Sequence, residues 1–482
     1  MKTTRTNRSA ARTKSKDAGQ LSGKLAGLLR KSNSAWTIDD LVAVVRDQNI
    51  RVVSLMHVGG DGWLKTLDFV PQSAQHLRDI LSAGERGDGS SIFAGLGISA
   101  GASDIILHAR PQTAFLDPFA AEPTLAVLCG HLGRDGKPLP VSPDTVLNLA
   151  YERLKHETGV DLHGLGEVEY FVGRLTGDGD THGTYDRGYH ATAPFVFGEK
   201  LRRQALSTLA DMGVPIKYGH SEVGYIPPDG GDHWIWEQHE VEMQLQPLPR
   251  AAESVVLTHW VLRNLAVQHG MRCSFDPIVK PGHAGNGMHF HLALQTGGKY
   301  QSVHDSKGQL RAVSKWLIGG LVQYGGVLMA FGNRSRESFV RLMQGKEAPN
   351  TVTWGRYNRK ALVRLPIVPR DAKGRPVCAE TIEYRLPDGS AHPYLLLAGI
   401  AQAMIAGKNM VDLDERVAHT AIDATPDVHD DATRVPRTFG EVVEALETHR
   451  QVFEAGGVFP TQQIDSVIEN LRDTLREVPR SS

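Results

Sequence analysis

Polar and apolar residues alternate with a period of two in four separate segments of the chain. Residues 166–171, 238–246, 287–291 and 381–385 carry polar or ionisable side chains at every second position, with mainly apolar residues between them. Successive side chains of a β-strand point to opposite faces, so this period is typical of strands. The pattern predicts four strands, each with one polar face.

A helical period occupies other parts of the chain. Apolar residues recur at helical spacing in 197–212 and in 254–269, and a glycine follows each segment. A further helical pattern begins after Ser142 and Pro143 and runs to Gly159. Because serine is a good N-cap and proline fits the first turn, this pair predicts a helix start.

The same pattern divides the chain into parts. Over residues 35–119, short apolar runs alternate with glycine-rich turns and helix signals are sparse, which predicts a small strand-rich domain. A connection rich in glycine and proline, 130–140, separates it from a region of mixed helices and strands. We therefore expect a basic flexible tail over 1–35, an N-terminal domain over 36–135 and a catalytic domain over 136–482.

The composition narrows the classes of function. The 482 residues include 53 basic and 54 acidic residues, a balance that does not indicate a nucleic-acid or membrane-surface protein. The three cysteines, Cys129, Cys273 and Cys378, fit neither a disulfide framework nor a cysteine zinc site. No apolar run of about 18 residues could span a membrane, and no secretory signal is recognisable. We expect a cytoplasmic protein that binds neither membranes nor nucleic acid.

The start of the chain differs from the rest in charge. Its first 33 residues include nine Lys or Arg residues and one acid, Asp17. So polar a segment cannot offset the entropy cost of ordering, which favours a flexible tail. An organelle-targeting arm and a nucleic-acid-binding arm are the alternatives.

The polar faces of the four predicted strands carry candidate metal ligands. If they line one concave surface, carboxylates converge, and their repulsion raises their pKa values unless cations neutralise them. Carboxylates with imidazole and no thiolate favour magnesium or manganese over structural zinc. Each strand taken singly could instead be half-exposed, with its polar side facing water. The carboxylates and imidazoles on these faces are Glu167, Glu169, Glu240, Glu242, His289, His291 and Glu383, and the last strand also carries Arg385.

A pair of divalent ions suits phosphoryl transfer, in which charge on the moving phosphate must be stabilised. Further cationic groups, Arg341, Arg359 and Arg364, lie in a segment dense with glycine and proline, although most arginines only solvate a surface. The sequence contains no G-x-x-x-x-G-K-[ST], which excludes a P-loop. It contains no H-E-x-x-H, which excludes that metalloprotease motif.

Several segments, in their order along the chain, resemble the glutamine synthetase family from about Trp36 onward. They are 88–92 (DGSSI), 103–105 (SDI), 113–119 (TAFLDPF), 285–291 (GNGMHFH), 341–349, 359–366 and 382–394. The resemblance implies an α+β fold. A small β-grasp-like N-terminal domain would precede a large catalytic domain, in which helices surround a curved antiparallel sheet forming an open half-barrel.

The resemblance also implies a metal and nucleotide site with two or three magnesium or manganese ions. The ligands of one metal would be Glu169, Glu222 and Glu240. The ligands of another would be Glu167, His289 and Glu383. The substrate ATP would bind near His291 and Arg364.

The reaction implied by the resemblance has two steps. ATP activates the side-chain carboxylate of glutamate as an acyl phosphate, and ammonia then attacks it. Glutamate would be bound by Arg341, Arg385 and Gly285. The phosphoryl transfer would be stabilised by Arg359. The ammonium pocket would consist of Asp88, Tyr189, Glu222 and Glu347, with Ser91 nearby, and Glu347 would also shield the intermediate from water.

The resemblance further implies an assembly. In this family the equivalent of Asp88 reaches the site from a neighbouring subunit, so a monomer would be inactive. We expect a homo-oligomer with active sites at subunit interfaces, built as a dodecamer of two hexameric rings.

The chain departs from the pattern of the family near the expected site. Ala284 stands where the family usually has an asparagine that helps to orient glutamate. A long connection that carries Trp234 and Trp236 joins Glu222 to Glu240. These departures leave two alternatives to glutamate–ammonia ligation. One is a gamma-glutamyl ligase for a larger amine, and the other is a catalytically silent structural or regulatory relative.

Overall fold

Two β-sheets organise the computed structural model, which describes residues 23–96, 98–176, 186–229, 231, 233–422 and 433–476. Most of the predicted basic tail therefore lies outside the described residues. The described part of it contains helix α1 (Lys24–Leu29), whose Leu25 is buried in the N-terminal hydrophobic core. This end of the predicted tail is ordered because its apolar side chains pack against the domain.

The first sheet is built from short strands between residues 52 and 132. They are β1 (Val52–Val58), β2 (Leu64–Phe69), β3 (Glu85–Asp88), β4 (Asp104–Ala109), β5 (Phe115–Leu116) and β6 (Thr124–Leu132). Their spatial order is β2-β1-β6-β4-β3, with β5 beside β6. The pair β1–β6 is parallel and the other pairs are antiparallel.

Helices accompany this sheet, although helix signals are sparse in this part of the sequence. They are α2 (Ile38–Asp47), α3 (Ala74–Ala83) and the single turn α4 (Gly89–Ile92). A capping box at Thr37 starts α2, and its Leu41, Val44 and Val45 are buried on one face. The helix signals are sparse because helices of ten residues show the helical period over only a short stretch of sequence.

The second sheet carries the four predicted strands. Its strands are β7 (Asp161–Leu175), β8 (Ile216–Ile226), β9 (Trp234–Met243), β10 (Gln246–Pro247), β11 (Arg272–Ser274), β12 (Met288–Thr296), β13 (Lys299–Tyr300), β14 (Trp354–Arg356), β15 (Val363–Leu365), β16 (Ile382–Tyr384) and β17 (Ala421–Ile422). The main order is β17-β14-β15-β16-β12-β7-β9-β8. Apart from the parallel pairs of β14, the pairing is antiparallel. The sheet curls into a half-barrel surrounded by helices, which confirms the predicted fold class.

The helices that surround this sheet alternate with its strands along the chain. They are α5 (Pro143–Thr158), α6 (Glu199–Asp211), α7 (Leu248–Gln268), α8 (Ala312–Gly332), α9 (Arg336–Met343), α10 (Pro393–Lys408), α11 (Leu413–His419), α12 (Phe439–Glu454) and α13 (Thr461–Arg476). The helix predicted after Ser142 is confirmed as α5. The helix predicted from residue 254 begins earlier, at Leu248, because the prolines next to it are compatible with a first turn.

No single helix of the described residues is long and apolar enough to cross a membrane. The helices α10 and α11 together have the length and the apolar composition of a membrane span, but the chain bends by 115° between them. The apolar residues of α10 are buried in the protein core. The predicted cytoplasmic location stays a prediction.

Candidate active site

Four neighbouring strands bring the predicted polar faces together. In the order β16-β12-β7-β9, His289 pairs with Glu167, Glu167 with Glu242, and Glu169 with Glu240. At the other edge of β12, His291 pairs with Glu383. Partners directly opposite each other in antiparallel strands point to the same face. The alternative of four separate strands that face water does not hold, because the polar faces of these strands adjoin the same cavity.

A cavity of about 1070 Å³ adjoins this face. Most of the residues predicted for the site line it, whereas Glu383 lies fully buried behind its wall. The lining residues that the sequence predicted are Glu167, Glu169, Tyr189, Glu222, Glu240, Gly285, His289, His291, Arg341, Glu347, Arg359, Arg364 and Arg385.

Imidazoles and arginines surround the carboxylates at one end of the cavity. Glu167 lies 3.1 Å from Nδ1 of His289 and 3.0 Å from Nε2 of His291. Burial opposes ionisation, yet the two imidazoles hold the pKa of Glu167 well below its usual range. Donor atoms of Glu167, His291 and Glu383 lie within 4.8 Å of one another. This end is electrostatically balanced by groups of the protein itself.

A neighbouring part of the cavity, the carboxylate-rich end, has an excess of carboxylates. Burial and the neighbouring Glu169 and Glu240 raise the pKa of Glu222 to about 8. Burial and neighbouring carboxylates also raise the pKa of Glu240. His220 lies 3.2 Å from Glu240 and 3.6 Å from Glu222, and these three residues can offer ligand atoms within 4.8 Å of one another. A bound cation would relieve the repulsion that raises these pKa values.

Arginines on the cavity wall are held by fixed partners. Arg364 donates to Oε2 of Glu383 at 2.9 Å, and Arg385 forms an ion pair with Oε1 of the same carboxylate. Although burial opposes it, Arg385, His291 and Arg364 lower the pKa of Glu383. Arg341 is buried and donates to the carbonyl oxygen of Leu386 at 3.2 Å. These contacts fix the guanidinium groups before any anion binds.

An ion pair lies at the rim of the cavity. Arg359 donates to Oε2 of Glu347 at 3.2 Å, and both side chains are about half-exposed. Tyr189 lies close to Arg359 and Glu222, and burial followed by the Glu222 charge raises the pKa of its phenol. This rim is therefore accessible to solvent while it contacts the carboxylate-rich end.

The loop before β12 is fixed to the carboxylates by hydrogen bonds. The Gly287 N–H donates to Oε2 of Glu169 at 2.7 Å, and Gln238 donates to the carbonyl oxygen of Gly285 at 3.0 Å. A Cβ on Gly287 would lie 2.4 Å from Nε2 of His289, so only glycine allows this approach. The loop places Ala284 and Gly285 on the cavity wall.

Two predicted residues are not brought to the cavity of the described chain. Asp88 lies at the end of β3 in the N-terminal sheet, and Ser91 Oγ donates to its carboxylate at 2.6 Å. Hydroxyl groups of Ser91, Ser90 and Ser103 lower the pKa of Asp88. Neither Asp88 nor Ser91 lines the cavity.

The two tryptophans of the connection between Glu222 and Glu240 lie away from the cavity lining. The rings of Trp234 and Trp236 are tilted by 31° with centroids 5.9 Å apart, and Arg272 lies 3.9 Å from the centroid of the Trp234 ring. Neither tryptophan lines the cavity. The two tryptophans thus give no support to an enlarged acceptor pocket in the described part of the chain.

Some cavity residues were not assigned from the sequence. Lys217, Tyr218 and His220 lie on β8, and Asp186 and Lys346 form an ion pair at 2.5 Å. The strand β8 contains irregular pairing between Ser221 and Tyr225, which breaks the simple alternation that marked the other strands. Neither Lys217, which lies on this strand, nor Asp186 was marked by an alternation of polar and apolar residues in the sequence.

The donor set fits hard divalent cations. It consists of carboxylate oxygens and imidazole nitrogens without thiolate, and burial together with neighbouring carboxylates raises the pKa values of Glu222 and Glu240. Magnesium and manganese prefer such oxygen-rich sites, whereas structural zinc sites usually contain cysteine.

Comparisons with known proteins give consistent results. Residues 141–481 match the family described as "Glutamine synthetase, catalytic domain". The chain is 30% identical to the glutamine synthetase of Thermococcus kodakarensis over 394 residues, which cover 80% of this chain and 82% of that one. It is 28% identical to the glutamine synthetase of Azospirillum brasilense over 469 residues, covering 90% and 94%.

Solved structures show the same fold. The fold is similar to that of Plasmodium falciparum glutamine synthetase with a TM-score of 0.77 and 19% identity, over 92% of this chain and 97% of that one. It is also similar to a structure titled "GmaS/ADP complex-Conformation 1" with a TM-score of 0.71 and 20% identity, over 90% and 95%.

Proposed function

The chain belongs to the glutamine synthetase family of ligases, and on that premise we propose that it joins ammonia to the side-chain carboxylate of glutamate with the use of ATP. The reaction gives glutamine, ADP and phosphate through a gamma-glutamyl phosphate. One observation carries this proposal: carboxylates, imidazoles and arginines from separate strands line one cavity.

Two groups of side chains are proposed to hold the divalent ions that the family uses. Glu169, Glu222 and Glu240 form one group, and Glu167, His289 and Glu383 form the other. Bound magnesium or manganese would neutralise phosphate charge during phosphoryl transfer. The support is the chemistry of the donors and the raised pKa values of Glu222 and Glu240.

Arginines take the anionic parts of the substrates in this proposal. Arg364 and His291 bind ATP, and Arg359 stabilises the transferring phosphoryl group. Arg341 and Arg385 bind the carboxylates of glutamate, while Gly285 offers its backbone. Buried guanidinium groups with fixed partners suit this task because little entropy is lost when an anion binds.

The carboxylate-rich end is proposed to receive ammonium. Glu222 and Tyr189 face this end, and Asp88 with Ser91 of a neighbouring subunit completes the pocket. A carboxylate then takes the proton, which leaves neutral ammonia to attack the acyl phosphate. Glu347 lies at the exposed rim, from which it can cover the intermediate and exclude water.

The second candidate is a gamma-glutamyl ligase for a larger amine. Ala284 lines the cavity where the family usually has asparagine, and Asp186 lines it as a further acid. Against this candidate, the chain retains Asp88, Tyr189 and Glu347, the residues of an anionic pocket that a bulky amine would need to be opened. The third candidate, a silent relative, conflicts with retention of many buried carboxylates, which are costly without cations.

An amine panel separates the three candidates. Purified oligomer is supplied with ATP, magnesium and glutamate, and phosphate release is measured with ammonia, methylamine, ethanolamine or a diamine. We expect turnover with ammonia to exceed that with every other amine. Preferred turnover of a larger amine would select the second candidate, and no turnover with any amine would select the third.

A further inference from the structure

The polar face of the second sheet continues beyond the carboxylates and imidazoles described above. Glu167 and His163 lie on one face of β7, because the pairing of β7 with β12 runs without interruption between them. Ala293 lies opposite His163, as His289 lies opposite Glu167. Four residues of strand separate the two pairs, a distance of about 13 Å. In the other direction β7 leads to Glu169 and the carboxylate-rich end, so a nucleotide with its phosphates near Glu167 extends toward His163.

Tyr300 reaches this part of the cavity from a tight hairpin. Gly297 and Gly298 join β12 to β13, with φ values of 56° and 75°. Two consecutive positive φ angles are typical of a type I′ turn, which glycine adopts without strain. The turn pairs Tyr300 with Gln295, and directly opposite partners point to the same face. Tyr300 therefore lies on the face that carries His291, and it lines the cavity with 41% of the residue exposed.

The hydroxyl group of Tyr300 is held by polar side chains behind it. Its oxygen lies 2.8 Å from Nδ1 of His163, and the two rings meet edge to face. Nε2 of His163 lies 3.5 Å from Oδ1 of Asp161, and the same carboxylate oxygen accepts from the hydroxyl of Tyr151. A carboxylate beside Nε2 favours the tautomer protonated on that nitrogen, so Nδ1 accepts a hydrogen bond from the Tyr300 phenol. Burial, followed by the Asp161 charge, raises the pKa of Tyr300, which keeps the phenol protonated as a donor.

This hydrogen bond orients the ring, while the exposed part of Tyr300 adjoins the cavity. The apolar side chains of Leu165, Ile367 and Pro369 line the same cavity, and Ile367 is 74% exposed. Exposed apolar groups on a cavity wall favour a ligand with an apolar surface of its own. A nucleobase has a flat face that stacks on an aromatic ring, whereas phosphates bind the cationic groups.

We propose that Tyr300 contacts the nucleoside of ATP by packing its ring on the base, and that His163 is the residue that positions this ring. The contact makes the site select a nucleotide over a bare polyphosphate. The inference rests on the proposed ATP-dependent function, because the direction of the nucleotide follows from phosphates placed near Glu167, His291 and Arg364.

Equilibrium binding of ATP and of inorganic triphosphate to the assembled full chain tests this contact. Isothermal titration calorimetry is carried out with magnesium and without glutamate or amine. In Tyr300→Leu we expect the dissociation constant of ATP to rise about tenfold, because one stacked base contact is lost. The dissociation constant of triphosphate should stay at the wild-type value.

Gln301→Leu is the matched control, because the next residue of the hairpin points to the opposite face. It should leave both dissociation constants unchanged. Wild-type affinity for ATP in Tyr300→Leu would overturn the proposal, and so would an equal loss for ATP and triphosphate. A wild type that binds neither ATP nor triphosphate would instead count against the proposed function.

A double-mutant cycle tests the positioning by His163 and keeps an aromatic ring at position 300. Tyr300→Phe and His163→Leu remove the same hydrogen bond from its two ends. Each should weaken ATP binding about threefold and leave triphosphate binding unchanged. The double variant should bind ATP no more weakly than either single variant, because the second change removes nothing further. Losses that add in the double variant, or no loss in either single variant, would overturn the role of His163 even if Tyr300→Leu does not fold.

Discussion

Glu167 and Glu222 are carboxylates of the same cavity, yet their pKa values are shifted in opposite directions. Both are buried, which disfavours the charged form. Glu167 faces the imidazoles of His289 and His291, whereas Glu222 faces Glu169 and Glu240. The identity of the neighbours, rather than burial, decides which carboxylate ionises without a bound cation.

Glu383 connects the metal site to the arginines, so its substitution gives a sharp test. In Glu383→Ala we expect metal-dependent ATP turnover to fall by about a hundredfold or more, because a ligand is lost. The oligomer should still elute as wild type on gel filtration. Glu383→Gln keeps the shape and serves as the matched variant, which should also be inactive. Wild-type turnover in either variant would remove Glu383 from the metal site.

His259 gives a prediction on the pH dependence of stability. Its ring is buried against Phe275 and Nε2 has no hydrogen-bond partner among the described residues, and burial lowers its pKa to about 3. The unfolded chain, with an ordinary histidine, therefore binds more protons in the window between that value and about 6.5. The contribution of His259 to the unfolding free energy is therefore least favourable at the acidic end of this window.

Urea unfolding at pH 7 and pH 5.5 measures this effect. The wild type should lose about 1 kcal/mol of unfolding free energy through His259 alone over this interval. His259→Phe should show a correspondingly smaller loss, because the substituted ring cannot bind a proton. His419→Phe changes an exposed histidine and should keep the wild-type dependence. Equal pH dependence in His259→Phe and the wild type would contradict the prediction.

At the scale of elements, strand register assembles the site. A slip of one residue between β7 and β9 would turn Glu167 and Glu169 to the opposite face. The buried apolar residues between them, such as Val168 and Tyr170, pack into the core and oppose such a slip. The apolar core thereby fixes the strand register, and this register places the carboxylates on the face that lines the cavity.

The helices α8 and α10 pack closely in the same core. A Cβ on Gly407 of α10 would lie 2.1 Å from the carbonyl oxygen of Trp316 on α8. Gly407→Ala should therefore lower the unfolding free energy by about 1–3 kcal/mol, since the backbone of α8 has to move. Gly27→Ala in α1 is the control, because no atom lies within 4 Å of its added Cβ. If Gly407→Ala were as stable as the wild type in urea, the prediction would be wrong, because the two helices could then move apart at little cost in free energy.

At the scale of the whole molecule, Asp88 lies outside the cavity of its own chain. If the site is shared between subunits, as the family implies, Asp88→Asn and Glu383→Ala should complement each other. Both variants alone should be inactive, because each lacks one half of every site.

Co-assembly of these two variants measures that sharing. At equal amounts of both chains, random neighbours should restore about one quarter of the sites. Mixing already assembled oligomers without subunit exchange is the control and should restore nothing. Absence of activity in properly co-assembled oligomers would place Asp88 outside the acceptor pocket.

The sequence by itself determined the residue types, the strand period and the family resemblance. Glu167, Glu169, Glu240 and Glu383 could be placed on polar strand faces because alternation is a local property of the chain. Tertiary structure alone decided that these faces meet, because strand pairing joins residues far apart in sequence. It also decided the balance of charge, since Arg364, which pairs with Glu383, and Lys217, which pairs with Glu242, come from other strands. For that reason Lys217 had no recognisable role until the sheet placed it beside Glu242.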